Sequence, residues 1–330
     1  RTATVLPALA ALGISDLRVA FAGLAHSHPY TDAANVRALG AEVVGVHDAD
    51  AVVADDFAAR FGGAAVDSVG ALAALQPDFV IATPRPDETV PFLEVLGGGG
   101  APVFVNKVIA ATAAQLDEVD RALAASSVPV GTSSVLRFAP ALASLAGEIA
   151  VDDVLALRVH AQHDNAAFQL PGRSWQDDPQ RGGGTAVTVG VHAWEMVDVL
   201  LPGADVVSRS GWTRTSGGSA TASEDAAGVD GLLRVPGAHR EVPVQVLVTG
   251  APGADAYAVD VVMAAGIRSV SLGVDDGADG EGVNATLGFL GLIRALLDAA
   301  AQRATAAPWS EARGVVANTV RAAEIARGVS

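Results

Sequence analysis

Lys107 and His192 are the residues whose types could most directly carry out chemistry. Lys107 is the only lysine among the 21 basic residues, and lysine, unlike arginine, has a pKa that burial can bring into the working range. A histidine poised near neutrality can accept a hydroxyl proton while hydride leaves the same carbon, and a lysine can stabilise the oxygen that gains negative charge. Beside a nicotinamide the pair would serve hydride transfer at a hydroxyl or carbonyl group, although His192 alone would be interpreted as a hydrogen-bonded core histidine.

The segment Gly23-Leu-Ala-His-Ser-His28 indicates a dinucleotide site. It lies between a predicted strand and a predicted helix, the position of the G-x-G-x-x-G fingerprint, but Ala25 and His28 replace the second and third glycines. Asp48 ends the next predicted strand, where an acidic residue binds the ribose 2′-hydroxyl and favours NAD over NADP. We predict an NAD site along one sheet edge, made of Gly23, Ala25, His26, Ser27, His28, Asp48, Thr83, Pro84, Arg85, Asn106 and Lys107.

The pair His26 and His28 permits a different interpretation. A His-x-His sequence after a first strand also begins some metal-dependent hydrolases. The further ligands would have to come from His160, His163 or His192, and the first two point to opposite faces of an extended strand. A metal hydrolase is therefore kept only as an alternative, and the main interpretation includes no metal.

The elements that would hold these residues alternate between strand and helix up to about residue 133. This alternation is typical of a doubly wound parallel sheet, in which ligands bind at the carboxyl ends of the strands. The predicted strands are 17–23, 41–47, 78–83, 102–106 and 128–132, and the predicted helices are 29–39, 51–61, 87–96 and 112–124.

After about residue 150 the predicted strands are closely spaced, which favours a mostly antiparallel sheet. One helix over 184–200 follows a run of three glycines and places Thr188, His192 and Glu195 on one face. Residues 216–228 are a predicted hairpin loop. The predicted strands are 152–162, 204–214, 228–235, 241–249, 256–263 and 267–273, and the final helices are 284–302 and 309–327.

The composition limits the partners of the chain. A net charge of −16 disfavours binding to nucleic acid or to an anionic membrane. The absence of cysteine excludes disulfides and thiolate metal sites and agrees with a reducing compartment. Residues 1–13 lack the positive cluster of a leader, and no apolar stretch is long enough to span a bilayer. We expect a cytoplasmic protein without a nucleic-acid or membrane partner.

These residues give the chain a resemblance to the family of glucose–fructose oxidoreductase, inositol dehydrogenase and MocA. The resemblance runs from Val19 to the final helix. It rests on Gly23-Leu-Ala-His with Asp48, Ala82-Thr-Pro84, Asn106-Lys-Val108, Arg137-Phe-Ala-Pro-Ala-Leu142, and Gly182-Gly-Gly with Gly190-Val-His192. It implies an NAD(P)-dependent oxidoreductase that acts on a sugar-like or polyol substrate and forms a homo-dimer or homo-tetramer through its C-terminal sheet.

The resemblance also implies a domain organisation and a set of site residues. A Rossmann domain over 15–133 would precede an α/β domain with an open sheet over 134–305, and a last helix over 306–330 would pack back on the Rossmann domain. The implied catalytic residues are Lys107, His192 and Thr188. The residues predicted to bind substrate are Lys107, Arg137, His160, Trp175, Arg181, Thr188 and His192.

The chain departs from the family pattern at three places. Thr188 stands where the family has an aspartate that binds substrate and supports proton transfer, and Val108 replaces a proline that would rigidify the turn. The glycine fingerprint is also incomplete. Glu195, Asp177 or Asp178 is a candidate for the missing carboxylate. These departures leave a catalytically impaired nucleotide- or sugar-binding protein as the first alternative and the metal hydrolase as the second.

Overall fold

Two six-stranded sheets form the framework of the computed structural model, which describes residues 13–273 and 280–328. The first sheet is parallel throughout and has the order β3-β2-β1-β4-β5-β6. Its strands are β1 (Arg18–Ala22), β2 (Glu42–His47), β3 (Ala64–Ala65), β4 (Phe79–Ala82), β5 (Val103–Asn106) and β6 (Val130–Ser133). The chain reverses direction across the sheet between β1 and β4, so a crevice for a ligand opens at the carboxyl ends of these two strands.

Helices cover both faces of this sheet, which is why β4, β5 and β6 are buried along their whole length. The sequence-based prediction located the five longer strands because each contains a run of apolar residues, but it missed the two-residue β3 and the six-residue helix that follows it. The helices are α1 (His28–Ala38), α2 (Ala51–Phe61), α3 (Val69–Ala74), α4 (Thr89–Leu96) and α5 (Ala113–Ala125).

The second sheet has the order β12-β11-β7-β10-β9-β8 and confirms the mostly antiparallel prediction, because only β7 and β10 pair in parallel. One face packs against helices, and the other face lies open. The strands are β7 (Val154–Gln162), β8 (Asp205–Arg214), β9 (Ala226–Arg234), β10 (Val242–Thr249), β11 (Ala256–Met263) and β12 (Gly266–Gly273). The predicted hairpin loop connects β8 to β9.

Two predicted helices are each divided in the structure. The helix predicted over 184–200 consists of α7 (Gly184–Thr188) and α8 (Gly190–Leu200), which follow a short helix α6 (Pro140–Gly147). Between α7 and α8 the backbone tightens, and the N–H of His192 donates to the carbonyl of Val189 three residues earlier.

The helix predicted over 284–302 likewise consists of α9 (Gly280–Thr286) and α10 (Phe289–Ala300). Gly288 separates them with a φ of +94°, and a Cβ there would lie 2.3 Å from the carbonyl oxygen of Val135. The close approach of a distant backbone segment therefore ends the first helix, which no local pattern indicates.

The last helix, α11 (Trp309–Ala326), contacts both halves of the chain. At its start the indole N–H of Trp309 and the guanidinium of Arg313 donate to Asp120 of α5. Beyond its end, Arg327 binds Glu224 and the carbonyl of Gly183, so it ties the glycine turn before α7 to the rest of the molecule.

Among the helices of residues 13–273 and 280–328, none combines the length and the hydrophobicity that crossing a membrane requires. Residues 1–12, on which the expectation about a leader rests, lie outside the described residues.

Candidate active site

Gly23 makes the turn that leads from β1 into α1. Its φ is +82°, and a Cβ would lie 2.9 Å from the carbonyl oxygen of Thr83, so glycine is required both by conformation and by space. The N–H of Gly23 donates to His47 at 2.7 Å, and the N–H of Ala25 donates to Thr83 at 3.1 Å. The turn is therefore fixed between the ends of β2 and β4, at the crevice.

Asp48 supports this turn from the end of β2. Its two carboxylate oxygens accept from the N–H of Leu24 at 2.7 Å and of Asp50 at 2.9 Å, so each retains a free lone pair. At the start of α1, the N–H groups of His26 and Ser27 have no hydrogen-bond acceptor among the described residues. Free N–H groups at a helix N-terminus bind anions, and a carboxylate beside them binds hydroxyls, so the arrangement fits the pyrophosphate and ribose of NAD.

Asn106, at the end of β5, is fixed by a buried polar cluster. Its amide donates to Thr83 Oγ1 and to Asp32 Oδ2, both at 2.9 Å. Burial raises the pKa of Asp32 to about 7, although the bond from Asn106 opposes the shift. Asp32 lies on the buried face of α1, and the sequence-based prediction missed it. The cluster holds the carboxyl ends of β4 and β5 in register beside the crevice.

Pro84 and Arg85 follow β4 at the same edge. Pro84 is buried, and Arg85 forms ion pairs with Asp87 at 3.8 Å and with Glu88. The guanidinium of Arg85 is therefore already balanced by carboxylates of its own segment.

Lys107, Thr188 and His192 come together in a cleft where the two sheets meet. The ammonium of Lys107 donates to the backbone oxygen of Thr188 at 3.4 Å, and the Lys107–Val108 peptide bond is cis. Burial lowers the pKa of Lys107 to about 8, with the negative charge of Asp255 opposing the shift and Arg173 adding to it. The cleft encloses about 60 Å³, and its polar lining includes His26, His28, Lys107, His163, Arg173, Gln176, Thr188, His192 and Asp255.

His192 is buried near the start of α8. Its Nδ1 lies 2.6 Å from the hydroxyl oxygen of Ser134, and its ring packs against Tyr257 at a centroid distance of 5.0 Å. Burial, together with the positive charge of Lys107, holds the pKa of His192 well below its usual value, so the ring is neutral.

The two histidines of the glycine turn are held differently, His26 by hydrogen bonds and His28 by ring packing with its Nδ1 buried and unpaired among the described residues. His26 Nδ1 accepts from the N–H of His28 at 3.2 Å, so its Nε2 donates to the carbonyl of Lys107 at 3.1 Å. Burial lowers the pKa of His26 to about 3. His28 packs edge-on against His26 and against Phe289. The described part of the chain contains no group of three or more His, Asp or Glu side chains able to hold a metal ion, so the hydrolase alternative finds no ligand set there.

Four residues predicted to bind substrate do not line this cleft. Arg137 is paired with Glu195 and Asp198, both at 2.5 Å. Arg181 donates to Asp87 at 2.8 Å, His160 lies on the open face of the second sheet, and Trp175 is buried beside Gln176.

The candidates for the missing carboxylate are engaged elsewhere. Glu195 accepts from Arg137 and from the N–H of Ser134, and Asp177 accepts from residues 221–223 of the hairpin loop. Asp178 accepts from the N–H of Gln180. None of the three lines the cleft.

The cleft instead contains a carboxylate that the sequence-based prediction missed. Asp255, immediately before β11, accepts a hydrogen bond at 2.6 Å from Nδ1 of His163, which immediately follows β7. The sequence could have identified His163, because side chains three positions apart in a strand point to opposite faces. Since His160 points to the open face, His163 must point inward. No comparable signal distinguishes Asp255 from the other acidic residues.

No protein-family model matches the chain, and no curated protein sequence matches it. Solved structures do match it. GenD2 from gentamicin A biosynthesis, in complex with NAD, is 20% identical over 94% of each chain with a TM-score of 0.78. A myo-inositol dehydrogenase from Corynebacterium glutamicum is 14% identical over 95% of this chain and 96% of its own, with a TM-score of 0.76. An Agrobacterium radiobacter oxidoreductase in complex with NAD+, L-tartaric acid and magnesium is 16% identical over 95% and 97%, with a TM-score of 0.74.

These identities are low, whereas the coverage is nearly complete on both sides. The chain therefore has the fold of these solved oxidoreductase structures over almost its whole length.

Proposed function

We propose that this chain is an NAD-dependent oxidoreductase that transfers hydride between the nicotinamide ring and a hydroxyl or carbonyl carbon of a sugar-like or polyol substrate. The observation that carries the proposal is the meeting of Lys107 with His192 at the sheet edge that also holds the Gly23 turn and Asp48. The solved structures with this fold include an NAD complex and myo-inositol dehydrogenases, which supports both parts of the assignment.

The residues of the Gly23 turn and Asp48 would hold the dinucleotide. The free N–H groups of His26 and Ser27 would bind the pyrophosphate, and Asp48 would accept from the ribose hydroxyls. The carboxylate of Asp48 would repel a 2′-phosphate, so we infer a preference for NAD over NADP. When bound, the cofactor supplies the hydride acceptor or donor.

Lys107 and His192 would act on the substrate oxygen. Below a pH of about 8 the ammonium of Lys107 is charged and can donate to this oxygen, which stabilises the negative charge that develops on it. The cleft encloses only about 60 Å³, whereas small-molecule sites commonly measure about 300–1,000 Å³. We therefore expect the cleft to widen when both ligands enter.

Thermal-shift titration with NAD, NADH, NADP and NADPH tests the cofactor assignment. A ligand at about 100 times its Kd adds about 2.7 kcal/mol to the free energy of unfolding, so binding of NAD is readily detected. Asp48→Ala should weaken the response to NAD. No shift with any of the four nucleotides would contradict the proposal.

Turnover measurements test the catalytic assignment. With NAD and a panel of polyols that begins with myo-inositol, Lys107→Ala and His192→Ala should abolish NADH formation and leave the NAD-induced thermal shift intact. Unchanged turnover in both variants would contradict the roles given to them.

A catalytically impaired binding protein is the second candidate function. Thr188 favours it, because the neutral hydroxyl donates to the backbone oxygen of Gly182 at 3.1 Å and provides no charge for proton transfer. An NAD-induced shift in a chain that turns over no member of the panel would support this candidate and contradict the first.

We further propose that the protein is cytoplasmic and forms a homo-oligomer through the open face of its second sheet. The absence of cysteine agrees with a reducing compartment. The exposed apolar side chains of Trp212, Leu247 and Ile267 on this sheet agree with an interface there. The two separate sheets support a nucleotide domain over 15–133 and a substrate and oligomerisation domain over 134–305. The last segment, over 306–330, would pack on the first domain through α5 and β6 as well as on the second.

A further inference from the structure

Among the histidines that line the cleft, His192 and His163 have different hydrogen-bond partners at Nδ1, a hydroxyl group and a carboxylate. His192 Nδ1 lies 2.6 Å from the hydroxyl oxygen of Ser134, and His163 Nδ1 lies 2.6 Å from a carboxylate oxygen of Asp255. The hydrogen-bond partner at Nδ1 decides which ring nitrogen carries the proton of a neutral imidazole. The two rings therefore present Nε2 to the cleft in different protonation states.

Ser134 is placed to donate to His192. Its oxygen already accepts from the N–H of Leu136 at 3.1 Å, and among the described residues the only acceptor for its proton is Nδ1 of His192. If Nδ1 accepts, Nε2 carries the proton of this neutral ring. His192 then presents an N–H donor to the cleft.

Asp255 has the opposite effect on His163. An ionised carboxylate can only accept, so Nδ1 of His163 must donate to it, and Nε2 retains its lone pair. The carboxylate also stabilises the imidazolium that forms when Nε2 takes a proton. His163 then presents a proton acceptor to the cleft.

Solvent exposure separates the two rings further. The side chain of His163 is 33% exposed, whereas His192 is only 4% exposed. A group that accepts a proton in every turnover must return it to solvent, and His163 can do so directly. A charged His192 would lie buried beside the ammonium of Lys107.

We propose, on the basis of the proposed function, that His163 is the general base, with Asp255 as its positioning residue, and that His192 acts with Lys107 as a hydrogen-bond donor to the substrate oxygen. During oxidation the hydroxyl proton moves to Nε2 of His163, the C–H bond breaks, and its hydride reduces the nicotinamide. The C–O bond of the alcohol becomes the C=O bond of the product. In the reverse direction the His163 imidazolium returns the proton to the carbonyl oxygen.

Asp255 thereby supplies the carboxylate that is missing at position 188. It comes from a different element, the segment before β11, and acts through His163. Its negative charge also opposes the lowering of the Lys107 pKa, which keeps more of the ammonium charged.

The tautomers can be measured without any substrate. Long-range ¹H–¹⁵N correlation spectra of the chain labelled with ¹⁵N-histidine report which nitrogen of each ring is protonated. The variants His163→Gln and His192→Gln assign the two signals among the seven histidines. We expect the proton on Nδ1 in His163 and on Nε2 in His192. The opposite tautomer in either ring would overturn the proposal.

Kinetics with NAD and myo-inositol, or the first polyol of the panel that turns over, test the roles themselves. Glutamine keeps an N–H donor near the position of Nε2 but cannot take up a proton. His192→Gln should therefore lose no more than about tenfold in kcat, whereas His163→Gln should lose at least about 100-fold. His239→Gln is the matched control, because His239 forms an exposed pair with Asp152 at 3.6 Å and should leave turnover unchanged.

The pH profile distinguishes a base from a structural residue. The other titratable and charged groups that line the cleft with His163 are Lys107, Arg173, Asp255, Tyr257, His26, His28 and His192. The acidic limb of kcat/KM should disappear in His163→Gln and persist in His192→Gln, and Asp255→Asn should weaken the preference of His163 for the Nδ1–H tautomer in the ¹H–¹⁵N spectra. A limb that disappears in His192→Gln and persists in His163→Gln would reverse the roles and overturn the proposal.

The two proposals fail in different ways. If the chain turns over a polyol but the two histidines have the opposite tautomers, this inference fails and the proposed function stands. The same holds if the acidic limb of kcat/KM is lost in His192→Gln and kept in His163→Gln. The expected tautomers in a chain that binds no nicotinamide nucleotide and oxidises no polyol would overturn the proposed function, and with it the role of His163 as a base.

Discussion

Lys107 illustrates how an ordinary side chain acquires a special property from its position. In water its ammonium would remain charged up to a pH of about 10.5. At the end of β5, burial lowers its pKa to about 8, while the neighbouring Asp255 limits the shift. The ammonium is therefore still charged near neutral pH, and keeping this charge buried costs folding free energy.

We predict that Lys107→Met stabilises the protein at pH 7. Between about pH 8 and 10.5 the unfolded chain binds a proton that the folded chain has lost, so the stability of the wild type rises with pH in this window. Below pH 8 the buried charge carries its full cost. After allowance for partial exposure, removing it should add about 1–2 kcal/mol to the free energy of unfolding at pH 7.

Urea unfolding at pH 7 and at pH 10 measures this effect. The advantage of Lys107→Met over the wild type should shrink towards zero at the higher pH. Arg121→Met, at an exposed position of α5, is the matched control and should show no pH-dependent difference. If the variant is no more stable than the wild type at pH 7, the charge of Lys107 does not lower the free energy of unfolding as proposed.

At the residue scale, the sequence identified the groups with distinctive chemistry but not their partners. Lys107 and His192 were predicted to face each other, and the structure places both in one cleft. The sequence-based prediction included neither Ser134 nor Asp255, because the roles of these two depend on distances between segments that lie far apart in the chain.

At the scale of elements, the turn before α7 determines where Thr188 and His192 lie. Gly183 has a φ of +90°, and a Cβ there would lie 2.4 Å from Cβ of Val187. Arg327 donates to the carbonyl of Gly183 at 2.6 Å, and Glu224 accepts from the N–H of Ala186 at 2.7 Å. The turn is therefore held by both its own conformation and the end of α11.

We predict that Gly183→Ala destabilises the protein by about 1–3 kcal/mol and lowers turnover. The alanine would have to adopt a left-handed conformation and would also collide with Val187, so α7 must shift. Chemical denaturation measures the loss of stability, and NADH formation measures the effect on the site.

Gly314→Ala is the control for this substitution. Gly314 is an exposed residue inside α11, and the position that a Cβ would occupy there has open space around it, so alanine should add about 0.5–1 kcal/mol to the free energy of unfolding. Equal effects of the two substitutions would contradict the role given to the turn.

Some elements can be predicted from the sequence because local composition determines them, whereas others depend on contacts between distant segments. Strands β1, β4 and β5 were located from local composition, because a strand buried on both faces is an unbroken apolar run. The divisions at Val189 and Gly288 could not be located in this way. At Gly288 the helix ends because the backbone of Val135 and Ala139 approaches within 3 Å of the position a Cβ would occupy, and only the tertiary structure shows this.

At the scale of the whole molecule, the open face of the second sheet carries exposed apolar side chains that would suit the proposed self-association. The strand register places Trp212, Leu247 and His160 in one row across the sheet, with the indole of Trp212 over Gly228. Ile267, on β12, is 62% exposed, and Trp212 is 46% exposed. With a net charge of −16, two copies repel each other at long range, so an interface must gain its free energy from apolar contact.

We predict that the double substitution Leu247→Asp and Ile267→Asp converts the proposed oligomer into a monomer. Each aspartate would be buried without a partner in the interface and would add to the negative charge on both sides. Light scattering coupled to size-exclusion chromatography measures the mass, which is expected to fall from a dimer or tetramer to that of the 33.1 kDa chain.

The control for this experiment is Val52→Asp, which introduces the same charge at an apolar side chain of α2 that is 67% exposed and lies outside the second sheet. It should leave the mass unchanged.

Salt gives a second distinction, because screening at 1 M shortens the reach of the charges to about 3 Å and weakens their repulsion without removing apolar contact. The wild-type oligomer should therefore persist or tighten at high salt, and an oligomer that dissociates there would have to be held by ion pairs on another face.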